Sequence, residues 1–281
     1  MAARPQTVLG IVAGGGDLPV AVAKVAKKDG RNVFVVALQG SADARVEAFD
    51  HAWVGLGEAG KAVKALKAAG CGQVLMAGKL MRPKFSELKV DAKGVIAAAR
   101  IAAAARHGDD ALLRTVADLF AEEGFKVIGV AEAAPGLLAP AGPLGRRAPD
   151  AQNEQDIAKA FAIVRALGAH DVGQAAAVCE GLPLAVEAAE GTDAMIARIG
   201  TLPEHFRGTE KKRRGVLVKA VKPVQNGKTD LPVIGPDTVK NAAAVGLAGI
   251  AVEAGRALIL NREDLVREAD RLGLFVTGVA P

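Results

Sequence analysis

A run of β-branched residues, Val8-Leu9-Gly10-Ile11-Val12-Ala13, stops at Gly14-Gly15-Gly16, and Asp17-Leu18-Pro19 then opens an Ala/Val/Lys segment with helical spacing as far as Lys28. Strand, glycine loop and helix in that order mark the first crossover of a parallel sheet, because two parallel strands cannot be joined by a short turn. The pattern continues. Asn32–Leu38 reads as a buried strand, Glu58–Ala69 as an amphipathic helix with Lys61, Lys64 and Lys67 outward, and Gln73–Ala77 as another strand. Ala92–Phe120 is helical with a break at His107-Gly108, and Lys126–Val130 supplies one more strand. This alternation predicts an α/β fold: a Rossmann-like N-terminal domain with a parallel sheet and right-handed crossovers.

A chain of 281 residues exceeds one such unit. The stretch 131–149 carries four prolines and three glycines, the composition of a linker, so the expected organisation is a nucleotide-binding domain over 1–132, a linker over 133–152 and a second domain over 153–281. In the second half Glu154–Leu167 reads as a helix, and Gln174–Cys179 and Leu184–Ala188 as hairpin strands around Glu180-Gly181-Leu182-Pro183. Asp193–Ile199 reads as a short helix capped by Thr192. Strands at Val216–Ala220, Gly249–Glu253 and Phe275–Gly278, with helices at Pro236–Ala244 and Arg262–Leu272, complete a C-terminal mixed α/β domain.

Hydrophobic residues make up 51% and charged residues 24%, which excludes a disordered polymer and suits a folded, water-soluble protein. No apolar run reaches the ~18 residues a membrane span needs, and the N-terminus shows no secretory h-region, so a cytoplasmic location is expected. Cys71 and Cys179 lack zinc-ligand or redox spacing and read as core residues. Net charge is +5, from 36 basic against 31 acidic side chains, suited to an anionic ligand or an acidic membrane surface. With no Tyr, one Trp and eight Phe the chain has few platforms for stacking bases, so nucleic acid is not an expected partner. The basic run Lys211-Lys212-Arg213-Arg214 is either a solvated face or an attractor of phosphate.

Gly14-Gly15-Gly16 stands where backbone N–H groups and a helix N-terminus approach a phosphate, and equally where a tight turn needs a positive φ. Pro19 replaces the third glycine of the dinucleotide fingerprint and no acid follows the second strand, so a redox cofactor is disfavoured. The histidines His51, His107, His170 and His205 have no metal-ligand spacing, which directs any metal toward oxygen ligands and a hard ion such as Mg2+. Glu187, Glu190 and Asp193 collect carboxylates near one helix N-terminus, with Glu190 and Asp193 either metal ligands or a charged cap. Lys219 and Lys222 at a strand end, followed by Gln225, Asn226 and Asp230, combine cations with a carboxylate able to orient water, as phosphoanhydride hydrolysis requires. Asp237 follows Gly235-Pro236 and reads as a helix-start residue.

Six segments in order, Ala13-Gly14-Gly15-Gly16-Asp17-Leu18-Pro19, Ala77-Gly78-Lys79-Leu80-Met81-Arg82-Pro83, Gly108-Asp109-Asp110-Ala111-Leu112-Leu113-Arg114, Cys179-Glu180-Gly181, Glu190-Gly191-Thr192-Asp193-Ala194-Met195 and Asp230-Leu231-Pro232-Val233-Ile234-Gly235-Pro236, resemble the LpxI family of UDP-2,3-diacylglucosamine pyrophosphatases. The resemblance implies a Mg2+-dependent hydrolase of lipid A biosynthesis that cleaves UDP-2,3-diacylglucosamine to UMP and lipid X, with water attacking the β-phosphorus. It implies two domains enclosing the substrate, the uridine nucleotide on the first and the acylated sugar phosphate on the second. Substrate contacts are then expected at Gly14, Gly15, Gly16, Asp17, Leu18, Pro19, Gly78, Lys79, Arg82, Asp109, Asp110, Gly191 and Thr192. Asp230 is the residue on which catalysis depends, beside Lys219, Lys222 and Gln225, and the expected metal ligands are Asp230, Glu190 and Asp193. A homodimer in peripheral contact with inner-membrane lipid is implied as well. The resemblance leads to the expectation of an acid at position 226; Asn226 brings no charge and is left out of the ligand set. A non-catalytic nucleotide-lipid carrier is the alternative from another class.

Overall fold

The computed structural model describes residues 8–80, 90–107, 109–222 and 231–280, and the chain divides into two compact units, Met1–Gly136 and Leu137–Pro281.

In the first unit β1 (Val8–Ala13), β2 (Val33–Leu38), β3 (Asp50–Val54), β4 (Cys71–Ala77) and β5 (Lys126–Val127) form one wholly parallel sheet in the order β3-β2-β1-β4-β5. Its helices are α1 (Leu18–Lys28), α2 (Ala59–Ala68), α3 (Ala92–Ala104), α4 (Asp109–Glu122) and the single turn α5 (Val130–Ala133). The continuous apolar runs became the central strands. β3 was not expected: Asp-His-Ala-Trp-Val buries only Val54, as an edge strand can. β5 is shorter than the expected Lys126–Val130, because Gly129 caps α5 and turns Val130 into a helix.

Helix packing here depends on small residues. A Cβ on Gly94 of α3 would lie 1.9 Å from the Gly57 carbonyl, so only glycine admits that approach, and Asp91 caps the helix by accepting from Gly94 N at 2.7 Å. A Cβ on Gly10 would meet Leu66 Cδ2 at 2.5 Å; its absence lets α2 press Leu66 onto β1, where it is fully buried among Val12, Val36, Val63, Val74 and Phe125. Leu66→Ala is expected to destabilise this unit by about 3 kcal/mol, the cost of lost burial plus the cavity left behind. Urea unfolding followed by circular dichroism checks it, and an unchanged midpoint contradicts the packing described.

In the second unit the strands are β6 (Gly142–Pro143), β7 (Ala175–Cys179), β8 (Leu182–Val186), β9 (Val216–Lys219), β10 (Val233–Ile234), β11 (Gly249–Glu253), β12 (Leu258–Ile259) and β13 (Phe275–Val279). The main sheet runs β6-β13-β11-β9-β7-β8, with β9, β11 and β13 parallel and β6, β7 and β8 introducing antiparallel pairs; β10 and β12 pair separately. The helices are α6 (Ala151–Gly168), α7 (Gly191–Ile199), α8 (Pro236–Ala244) and α9 (Arg262–Leu272). One core cluster packs α7, α8 and α9 on the sheet, centred on Met195, Ile196, Leu217, Ile250 and Leu265, and another packs α6 through Ile157, Phe161 and Val164.

Three local expectations change. The stretch 133–152 is not a free linker: from Leu137 it belongs to the second unit, with Ala139 N bonded to Ala257 O and Leu144 N to Val276 O, and β6 paired with β13. Proline lacks a donor, so it is tolerated on an edge strand, and Pro143 lies on one. The helix expected from Glu154 starts at Ala151 because Asp150 caps it through Asn153 N at 2.8 Å. Thr192 is not the cap of α7. Glu190 holds that position without a side-chain bond, and the Thr192 hydroxyl donates to Glu187 Oε1 at 2.6 Å.

Candidate functional site

In the first unit the strand order reverses between β1 and β4, and open parallel sheets take ligands at the carboxyl ends of such a pair. Gly14–Gly16 follows β1 and Gly78-Lys79 follows β4, so the structure brings these two segments together. Gly14 N donates to Ala77 O at 2.8 Å, and Gly15 and Lys79 exchange two backbone bonds of 2.8 Å each. A Cβ on Gly14 would lie 2.6 Å from Lys79 O, and one on Gly78 (φ +96°) 2.6 Å from Gly15 O. The positive φ of the tight-turn reading falls on Gly16 and not on Gly14 or Gly15, whose N–H groups are bonded within the protein. What remains is the N-terminal turn of α1 behind Gly16 (φ +86°), where the helix leaves N–H groups without internal partners, with Pro19 buried and supplying none.

Asp17 pairs with Arg45 at 2.6 Å, and Arg45 also holds Asp43 at 2.8 Å; Asp43 and then Asp17 keep the guanidinium above its ordinary pKa. Arg45 is thus a cation at this crevice that the sequence reading missed, its only signal being the short-range Asp43 cap. Lys79 is exposed beside the glycine loop. Asp109 and Asp110 open α4, and Arg82 lies outside the described residues.

Three of the second unit's buried charged residues lie at the carboxyl ends of β9 and β11. Lys219 is 5% exposed, Lys222 9% and Glu253 3%. Lys219 Nζ donates to Val233 O at 3.1 Å, and Lys222 Nζ to Asp171 Oδ1 at 2.8 Å. Glu253 pairs with Arg256 at 3.0 Å and accepts from Val221 N at 3.4 Å. Nearby in the same unit Glu187 is buried, accepting from Gln174 N at 2.8 Å as well as from Thr192. Gln225, Asn226 and Asp230 fall within 223–230, outside the described residues; Lys222 and Leu231, which flank that segment, are both buried. Asp171, Glu253 and Arg256 escaped the sequence reading because each stands alone in its segment, without motif or spacing.

The carboxylates expected near α7 each bond a different partner. Glu190 pairs with Arg198 at 2.8 Å; a hydrogen bond from its own backbone N–H, and then Arg198, hold its carboxyl below the usual range, and Asp193 accepts from Asn241 at 3.1 Å. Gly191 supplies the positive φ (+79°) that starts the helix. Among the described residues no three carboxylate, histidine or cysteine side chains form a metal shell, and Asp230, the third expected ligand, lies outside them.

Other expected features resolve simply. Burial pushes both thiols, Cys71 and Cys179, up to about 11, which leaves little thiolate at neutral pH and fits core residues. The run Lys211–Arg214 is only half solvated: Arg213 donates to Ala243 O, and Arg214 pairs with Glu180 and donates to Arg207 O. Asp237 sits in the first turn of α8, paired with Lys240.

Fold and site define a two-unit α/β protein with the buried Lys219, Lys222 and Glu253 at the carboxyl ends of parallel strands, the edge where such sheets bind ligands. The chain belongs to the LpxI family. The LpxI N-terminal domain matches residues 8–137 and the LpxI C-terminal domain residues 140–277. A protein of Caulobacter vibrioides, UDP-2,3-diacylglucosamine pyrophosphatase LpxI, is 49% identical over 273 residues, covering 97% of this chain and 98% of that one.

Proposed function

We propose that this protein hydrolyses the pyrophosphate bond of UDP-2,3-diacylglucosamine, releasing UMP and 2,3-diacylglucosamine 1-phosphate, in lipid A biosynthesis. The observation that carries the reading is the pair of buried lysines, Lys219 and Lys222, at the mouth of the segment that holds Asp230, in a chain 49% identical to a protein of that name. Cleaving a phosphoanhydride needs cations placed where negative charge accumulates, and an ammonium held out of water interacts far more strongly than an exposed one. In this reading Lys219 and Lys222 steady the pyrophosphate and Asp230 orients the attacking water, with Gln225 beside it. The uridine nucleotide takes the β1/β4 crevice of the first unit, at Gly16, Asp17, Leu18 and Lys79. The acylated sugar phosphate takes the second unit.

Mg2+ dependence belongs to the same reading. With Glu190 and Asp193 engaged elsewhere, Asp230 is the carboxylate it assigns to the ion, whose chemistry is to neutralise phosphate charge. Stripping the protein with EDTA is expected to suppress UMP release at least tenfold, and added Mg2+ to restore it; full turnover in excess chelator contradicts the metal requirement. The reading also takes the protein as a cytoplasmic homodimer in peripheral contact with the inner membrane. Its net charge of +5 suits an anionic leaflet, and no helix among the described residues is long and apolar enough to cross one.

A further inference from the structure

The exit of β9 is held residue by residue from separate elements. Ala220 N donates to Gln174 O at 3.0 Å, Val221 N to Glu253 Oε2 at 3.4 Å, and Lys222 Nζ to Asp171 Oδ1 at 2.8 Å. Asp171 and Gln174 both come from the connection between α6 and β7, and its backbone is unusual. Asp171 has φ +59° and Gly173 φ +52°, and a Cβ on Gly173 would lie 2.0 Å from Glu187 O. A left-handed residue other than glycine is uncommon and persists where its surroundings hold it. Here the turn delivers a carboxylate to a lysine whose side chain is only 11% exposed, while the carboxylate itself is 30% exposed. A surface pair in that geometry would do little; a buried ammonium without its partner would lose its fixed position.

We propose that Asp171 is a positioning residue for the reaction, holding the Lys222 ammonium at the place where substrate phosphate charge is met. The inference rests on the functional reading above. Asp171 does not touch the reacting atoms: it restricts Lys222 to one orientation.

Two variants test this without disturbing the turn, since asparagine tolerates left-handed backbone and glycine favours it: Asp171→Asn and Asp171→Gly. Both are expected to lower kcat about tenfold on UDP-2,3-diacylglucosamine, with KM within about twofold of the parent, as for an interaction that matters mainly in the transition state. In a Lys222→Met background the Asp171 change should cost almost nothing further, because the group it positions is gone. Asp237→Asn, at an exposed ion pair on α8, should leave kcat unchanged. Wild-type turnover in both Asp171 variants overturns the proposal, and so does a tenfold loss that persists undiminished without Lys222. If the unaltered protein releases no UMP, the functional reading itself falls, and this inference with it.

Discussion

Asp230→Ala is expected to reduce kcat by about 10³-fold, the scale seen when a group acting on the nucleophile or on developing charge is removed, while the protein stays folded and still binds substrate. The other carboxylates of the second-unit site have intramolecular work. Glu187 is bonded to Thr192 and Gln174 N, Glu190 is paired with Arg198, Asp193 is bonded to Asn241, Asp171 is paired with Lys222 and Glu253 with Arg256. Asp230 stands eight positions after Lys222 and opens the Asp-Leu-Pro-Val-Ile-Gly segment through which the family resemblance runs. A group that acts in the transition state and contributes little to ground-state binding lowers kcat and leaves KM nearly unchanged. Steady-state assay of UMP, with substrate binding measured by calorimetry, separates this outcome from unfolding. Near-normal turnover removes the mechanism.

Asp156→Ala should produce the largest loss of stability, about 4 kcal/mol or roughly 10 °C in melting temperature for a unit of this size. Asp156 is 1% exposed on α6, and its carboxylate accepts from Glu180 N at 2.9 Å, Gly181 N at 2.7 Å and Gln152 Nε2 at 3.3 Å. Both turn residues are left-handed, with φ +49° and +79°, so their amides are fixed toward that carboxylate and would lose that acceptor, while the cavity left on α6 would be fully buried. Asp156→Asn retains one acceptor and should lose about half as much. Thermal unfolding by calorimetry reads both, and a melting temperature within 2 °C of the parent for the alanine variant contradicts the account. Cys179-Glu180-Gly181, conspicuous as a motif, is a hairpin turn tied to a helix.

The strands that were legible in sequence are those buried on both faces. β1 and β2 read as unbroken apolar runs because helices cover both sides of a parallel sheet. β3 was missed because one buried valine in five residues gives no period, and β10 and β12 because two residues give none at all. Proline and glycine misled in 133–152, where the same residues that suit a linker also suit an edge strand and its turns. At the site, local features were readable: Gly16, the lysines at and just beyond the end of β9 and the Gly-Pro-Asp start of α8. Partnerships across the chain were not. Lys222 meets Asp171 over 51 positions and Val221 meets Glu253 over 32, and no spacing rule connects residues that only a folded sheet brings together.

The central claim is tested most directly by incubating the purified protein with UDP-2,3-diacylglucosamine and Mg2+ and following the products by mass spectrometry. The account predicts UMP and 2,3-diacylglucosamine 1-phosphate in equal amounts, at a rate proportional to protein and lost in Asp230→Ala. Substrate that is bound but recovered intact would contradict it and make the protein a carrier of nucleotide-linked lipid.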